Sequence, residues 1–207
     1  AGTDGTAAPI KKIVVNRSGS DTAGDWTGYI VDAYLTDGVT ARLGTVTANA
    51  ITWGDNTSTI YTVANATNKT YTLSITVKNP LPVGADGKIL GFTIDGNDDI
   101  YLGSPTSAFP TGTTAVTGTS TVAVVATSFV ITGTGSQAAG AANTLTIKAI
   151  DVNANIDLGY TGTDKPLVFS GATVAADGTT NPTVINSAAV AKNFGQSTLV
   201  NFTNCVN

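Results

Sequence analysis

The sequence predicts an all-β chain, and three observations carry that expectation. The 207 residues include 23 glycines and 42% hydrophobic residues but only 12% charged ones, with threonine and valine recurring throughout, a palette of β-branched residues and turn formers. Residues 70–78 alternate strictly, with Tyr71, Leu73, Ile75 and Val77 on one face and Thr72, Ser74 and Thr76 on the other, which is the period of a half-buried strand. Turn signals recur at short intervals: Asp37-Gly38, Gly54-Asp55-Asn56, Asp86-Gly87, Asp95-Gly96-Asn97-Asp98, the stretch 135–140 and Asp177-Gly178. Short strands at such spacing read as a sandwich or barrel.

In chain order, the first strand is expected at 10–15, where Ile10, Ile13, Val14 and Val15 follow Pro9 behind a Gly/Thr-rich start. Apolar, β-branched runs then predict strands at 29–35, 42–53, 59–63, 70–78, 89–94 and 100–102. Residues 104–118, with Pro105, Pro110 and Gly112 among many threonines, read as a loop or linker. The run 121–132 reads as one long strand, followed by strands at 143–149, 167–169, 184–191 and 198–202. Helix is expected only in traces, since the best candidate, 188–192, is too short to stand alone. The boundary places one domain at 1–125 and a second at 126–207. Expected core residues are Tyr71, Leu73, Ile75, Val77, Leu145, Ile147, Leu167, Phe169 and Phe202.

The second half carries a resemblance. Gly140-Ala-Ala-Asn-Thr-Leu-Thr-Ile-Lys-Ala-Ile-Asp-Val-Asn-Ala-Asn155, then Tyr160-Thr-Gly to Leu167-Val-Phe-Ser-Gly171, then Phe194 to Asn204, resemble the bacterial immunoglobulin-like modules of exported surface proteins and invasin-type adhesins over residues 129–204. The resemblance implies two immunoglobulin-like β-sandwich domains in tandem, with a core strand and hairpin at 140–155. The family turn usually has Gly where this chain has Ala154. Such modules normally continue into a further strand beyond the Asn-Phe-Thr-Asn passage, so the C-terminal domain is expected to lack its last strand.

Composition argues against catalysis. Histidine, the usual general base and commonest metal ligand near neutral pH, is absent; no Ser-x-x-Lys pair offers a substitute base. The chain is therefore expected not to be an enzyme and to need no cofactor. A formal charge of −4 argues against nucleic acid and anionic lipid, and no apolar run is long enough to span a membrane as a helix. Asp151, Asn153, Asn155 and Asp157 place oxygens at every second residue, as a calcium loop would, and Asp95, Asp98 and Asp99 cluster in a second turn. Both read better as turns than as calcium sites. Trp26 and Trp53 read as core residues before sugar platforms. Sequons stand at Asn16, Asn56, Asn65, Asn68 and Asn201, candidates for glycosylation in an exported protein. Cys205 has no second cysteine to pair with in the chain; it reads as an inert thiol or as an intermolecular link.

Without Met at position 1, the chain is expected to be exported with an N-terminal segment removed. These features together predict a structural subunit of an extracellular filament or surface layer, a homopolymer joined by β-strand complementation. Its donor strand would be Ile10, Ile13, Val14 and Val15, in the segment 8–16. The alternative is a tandem binding module of a surface adhesin, recognising a glycan or a protein.

Overall fold

The computed structural model describes residues 5–103, 108–109, 114–134 and 141–203. Of these, 44% lie in strands and 4% in helix, in several antiparallel sheets. The fold is all-β. Two compact units divide the chain between Val122 and Ala123.

The first unit holds β1 (Ala8–Arg17), β2 (Ile30–Thr36), β3 (Ala41–Leu43), β4 (Thr45–Val46), β5 (Ala50–Trp53), β6 (Tyr61–Val63), β7 (Thr72–Val77), β8 (Ile89–Ile94), the single-turn α1 (Gly96–Asp99), β9 (Ile100–Leu102) and β10 (Val116–Thr121). The larger sheet runs β10-β8-β1-β5-β4, with β6 and β9 also paired to β1; the smaller runs β3-β2-β7. Side chains from both sheets meet in one core built on Ile13, Ala33, Leu35, Ile51, Trp53 and Leu90. Burial of each large aliphatic there contributes about 1.5–3 kcal/mol. Two hydrogen bonds stitch the sheets together: Tyr61 Oη donates to the Leu35 carbonyl at 2.5 Å, and Trp53 Nε1 to the Ala33 carbonyl at 3.3 Å.

β1 is not a free strand. On one edge Ile13–Asn16 pair with β5 and Ala8–Ile10 with β6; on the other, residues of β1 pair with β8 and β9. Ala8, Ile10, Ile13 and Val15 are buried in the unit's own core, and Val14 is half-buried. The reason lies in its pattern: inward apolar residues on a strand with both edges paired complete a sheet in whichever chain supplies it.

Several elements differ from expectation. The run 42–53 divides into β3, β4 and β5, because Gly44 passes so close to Trp53 that a Cβ there would lie 2.7 Å from the indole. The linker-like threonines include a strand, β10, paired along its length with β8 from Val116↔Ile94 to Thr121↔Ile89. The run 121–132 is broken: residues 122–127 leave the sheet, with Val122 and Val124 buried, before β11 begins.

The second unit contains β11 (Ser128–Thr132), β12 (Thr146–Ile150), β13 (Gly162–Val168), β14 (Thr183–Ile185), β15 (Ala191–Asn193) and β16 (Ser197–Phe202). They pair two by two: β11 with β12, β13 with β16, β14 with β15. The strand expected at 184–191 is therefore a hairpin turning at 186–190. The core is small: Ile147, Phe169, Val200 and Phe202 are buried, with Tyr160, Leu167, Val184 and Phe194 packed against them. Phe129, Tyr160 and Phe202 form a mutual ring cluster with centroids 5.1–5.7 Å apart.

A candidate strand-acceptor groove in the first unit

On one side of the first unit both sheets end in unpaired edges. β7 has β2 as its sheet neighbour, β10 has β8, and the described residues supply no strand beyond either. Between them lies an open cavity of about 620 Å³. Its floor is Ile10, Ile13, Val15 and Leu35; one wall is Tyr71, Leu73 and Ile75, the other Phe92, Ile94 and β10 residues 116–120. No lining residue is charged.

This changes the part played by the clearest strand in the sequence. Tyr71, Leu73 and Ile75, expected in a closed core, are half-buried, and Val77 is exposed. Their apolar face lines a groove that solvent enters. Tyr71 Oη is buried without a hydrogen-bond partner among the described residues, and burial, reinforced by Asp37 and Tyr61, pushes its phenol above the ordinary value of 10.0. The hydroxyl stays protonated at neutral pH, a donor with no acceptor beside it.

The edges themselves are chemically unusual. β7 reads Thr-Leu-Ser-Ile-Thr-Val and β10 reads Val-Thr-Gly-Thr-Ser-Thr, so neither carries a charge or a proline. Exposed edges are ordinarily blunted by such residues, because their unpaired N–H and C=O groups template pairing with another strand. Every residue of β10 is exposed, Val116 by 68%.

The acidic turns are structural. Asp151 Oδ1 accepts from the amides of Asn153 and Asn155, each at 2.8 Å, and Oδ2 from Asn155 Nδ2 at 3.1 Å. Asp157 Oδ2 caps the Ala126 amide at 2.9 Å. Asp95 caps α1 through the Asn97 amide, while Asp99 accepts from Asn16 Nδ2 at 2.6 Å and from the Asp95 amide at 2.7 Å; Asp98 lies in that same turn. Among the described residues no three His, Cys, Asp or Glu side chains gather to hold a metal. Ala154 stands at φ +64°, the left-handed conformation that a glycine would adopt without strain. Ala154→Gly is expected to stabilise the second unit by about 1 kcal/mol, seen as slower exchange of the β12 and β16 amides; unchanged or faster exchange would show that the turn stores no strain.

Of the sequons, Asn56, Asn68 and Asn201 are exposed. Asn65 and Asn201 accept hydrogen bonds from the Gly5 and Asp164 amides. Asn16 lies half-buried in β1, its amide held by Asp99. Trp26 and Trp53 are 0% and 1% exposed, which removes both as sugar platforms in this conformation. Cys205 and the turn at 135–140 lie outside the described residues. No helix among the described residues is long and apolar enough to cross a membrane. Compared with protein-family models, with curated proteins and with solved structures, the chain matches none.

Proposed function

We propose that this chain is a structural subunit of an extracellular filament or surface layer, built from two immunoglobulin-like sandwiches, whose copies join to one another by β-strand complementation. The observation that carries the reading is the groove: an uncharged apolar trough between two unprotected strand edges. A strand laid there pairs its main chain with β7 or β10 and sinks alternate side chains into the trough. Composition points the same way, towards a chemically inert exported surface without histidine. Because β1 already completes its own sheet, donation of Ile10, Ile13, Val14 and Val15 takes the form of exchange, one copy's β1 making in a neighbour the contacts it makes at home. Negative-stain microscopy of the full chain across a concentration series tests the reading. Ordered fibres or sheets are expected; monodisperse particles at high concentration would replace it with the tandem binding module of an adhesin.

A further inference from the structure

The groove calls for an occupant, and the second unit of the same chain carries one of matching chemistry. β11 pairs with β12 on one side and with no described strand on the other. Its sequence Ser-Phe-Val-Ile-Thr has neither charge nor proline. Ile131 is 49% exposed, and Phe129, which packs on Tyr160 and Phe202 of its own unit, still shows 41%. The other strands of this unit are unsuited. β13 carries Asp164, Lys165 and Pro166, β15 carries Lys192, β12 carries Lys148, and β14 is three residues long. β16 is uncharged, but it pairs with β13 and its Leu199 carbonyl accepts the Ser187 amide.

We propose that β11 of a second copy of this chain occupies the groove between β7 and β10. The inference rests on the strand-complementation reading and names its partner surfaces. A small apolar ligand would fill the trough yet leave both rows of edge main-chain groups without partners, whereas the free edge of β11 satisfies the row on β7 or the row on β10. An uncharged strand also enters an uncharged groove without stripping water from an ion. Each copy has one groove in its first unit and one β11 in its second, so the contact is heterologous, and repeating it gives an open polymer rather than a closed dimer.

The experiment uses full-length chains in two complementary sets. Thr119→Lys, on the exposed edge of β10, and Ile75→Lys, in the groove wall, disable the acceptor; Thr132→Lys and Ile131→Lys disable β11. Thr119→Lys and Thr132→Lys alter exposed positions only and secure the test should the isoleucine variants misfold. Each variant alone is expected to remain monomeric by light scattering under conditions where the unaltered chain polymerises. Mixing an acceptor-disabled variant with a β11-disabled one leaves one intact groove and one intact strand, so 1:1 heterodimers are expected and nothing larger. Polymers that persist in both β11 variants would overturn β11 as the occupant while leaving strand complementation standing, as would mixtures that stay monomeric. An unaltered chain that never polymerises would overturn the underlying reading instead.

Discussion

A chain lacking residues 1–17 is expected to lose the folded structure of its first unit. Deleting this segment removes Ile10, Ile13 and Val15 from the core and cuts the larger sheet between β8 and β5. At about 1.5–3 kcal/mol for each buried branched aliphatic, those three alone contribute roughly 5–9 kcal/mol, a loss on the scale of the 5–15 kcal/mol that holds an ordinary domain together. The readout is favourable, because both tryptophans of the chain, Trp26 and Trp53, sit buried in this core. Their emission is expected to shift to the red in the truncated chain and to return when a peptide of residues 7–17 is added. Recovery in trans is the thermodynamic requirement for β1 exchange between copies. Native emission from the truncated chain would show that the sheet closes without β1 and would remove it as a donor.

The sequence made the strands legible wherever a period of two ran against a turn signal. β7 and β12 were readable from alternation alone, because one face of β7 is apolar and the other hydroxyl-bearing, and in β12 Ile147 and Ala149 alternate with Thr146 and Lys148. β10 was not. Val-Thr-Gly-Thr-Ser-Thr has the composition of a linker, and only pairing with β8 distinguishes an edge strand of threonines from a loop. The reverse error occurred at 122–127, where Val122 and Val124 are apolar at alternate positions and are buried yet belong to no strand. Alternation records which side chains are inward, and it is silent on how far a ladder runs: Val122 still exchanges main-chain hydrogen bonds with Lys88 and Gly87 just past the end of β10. Long-range approaches were equally hidden: nothing local announces that Gly44 must lie against Trp53.

The candidate site was legible in its chemistry and not in its location. A sparsely charged, threonine-rich chain with inward-facing isoleucines suggested strand complementation, but the expected gap was at the end of the second domain. The groove described above lies in the first unit and was hidden because its two edges, β7 and β10, are separated by residues 78–115 and meet only through the sheet order. The donor segment was recognised as a strand from Ile10, Ile13 and Val15. That its pairing partners were four strands of its own unit depends on contacts no short window contains. In the acidic turns, by contrast, Asp151 and Asp95 behave as local sequence dictates, capping amides two to four residues on, whereas Asp157 and Asp99 reach Ala126 and Asn16, which no local pattern announces.

Asp21→Ala is expected to destabilise the first unit by about 3–5 kcal/mol at neutral pH, since it strips the acceptor from several buried or constrained donors at about 1–3 kcal/mol each. Asp21 lies in the connection between β1 and β2, its side chain only 1% exposed. Oδ2 accepts from Trp26 Nε1 at 2.8 Å and from the Gly91 amide at 2.9 Å, and Oδ1 from the Gly24 amide at 2.8 Å. Gly91 is required for this approach, because a Cβ there would meet the Asp21 amide nitrogen at 2.6 Å. Burial by itself would raise the Asp21 pKa, but the hydrogen bonds from Trp26, Gly91 and Gly24, with the Arg17 charge, outweigh it and hold the carboxyl below its ordinary 3.8. A folded pKa below the unfolded one means that the stabilisation is complete above pH 3.8 and fades as pH falls through the folded value. Asp37, held at about 2 by the Thr40 and Val39 amides and Lys69, and Asp55, held at about 2 by the Thr57 hydroxyl and the Thr57 and Ser58 amides, weaken in the same direction, so the variant is needed to isolate Asp21. Urea midpoints followed by tryptophan emission should differ widely between the two chains at neutral pH and converge as pH falls through the folded Asp21 value. Because the same carboxylate fastens the segment that β1 must swing on to leave its sheet, Asp21→Ala is also expected to bind the 7–17 peptide faster than the unaltered chain does. A midpoint gap that stays constant from neutral to acid pH would show that Asp21 is not the titrating latch.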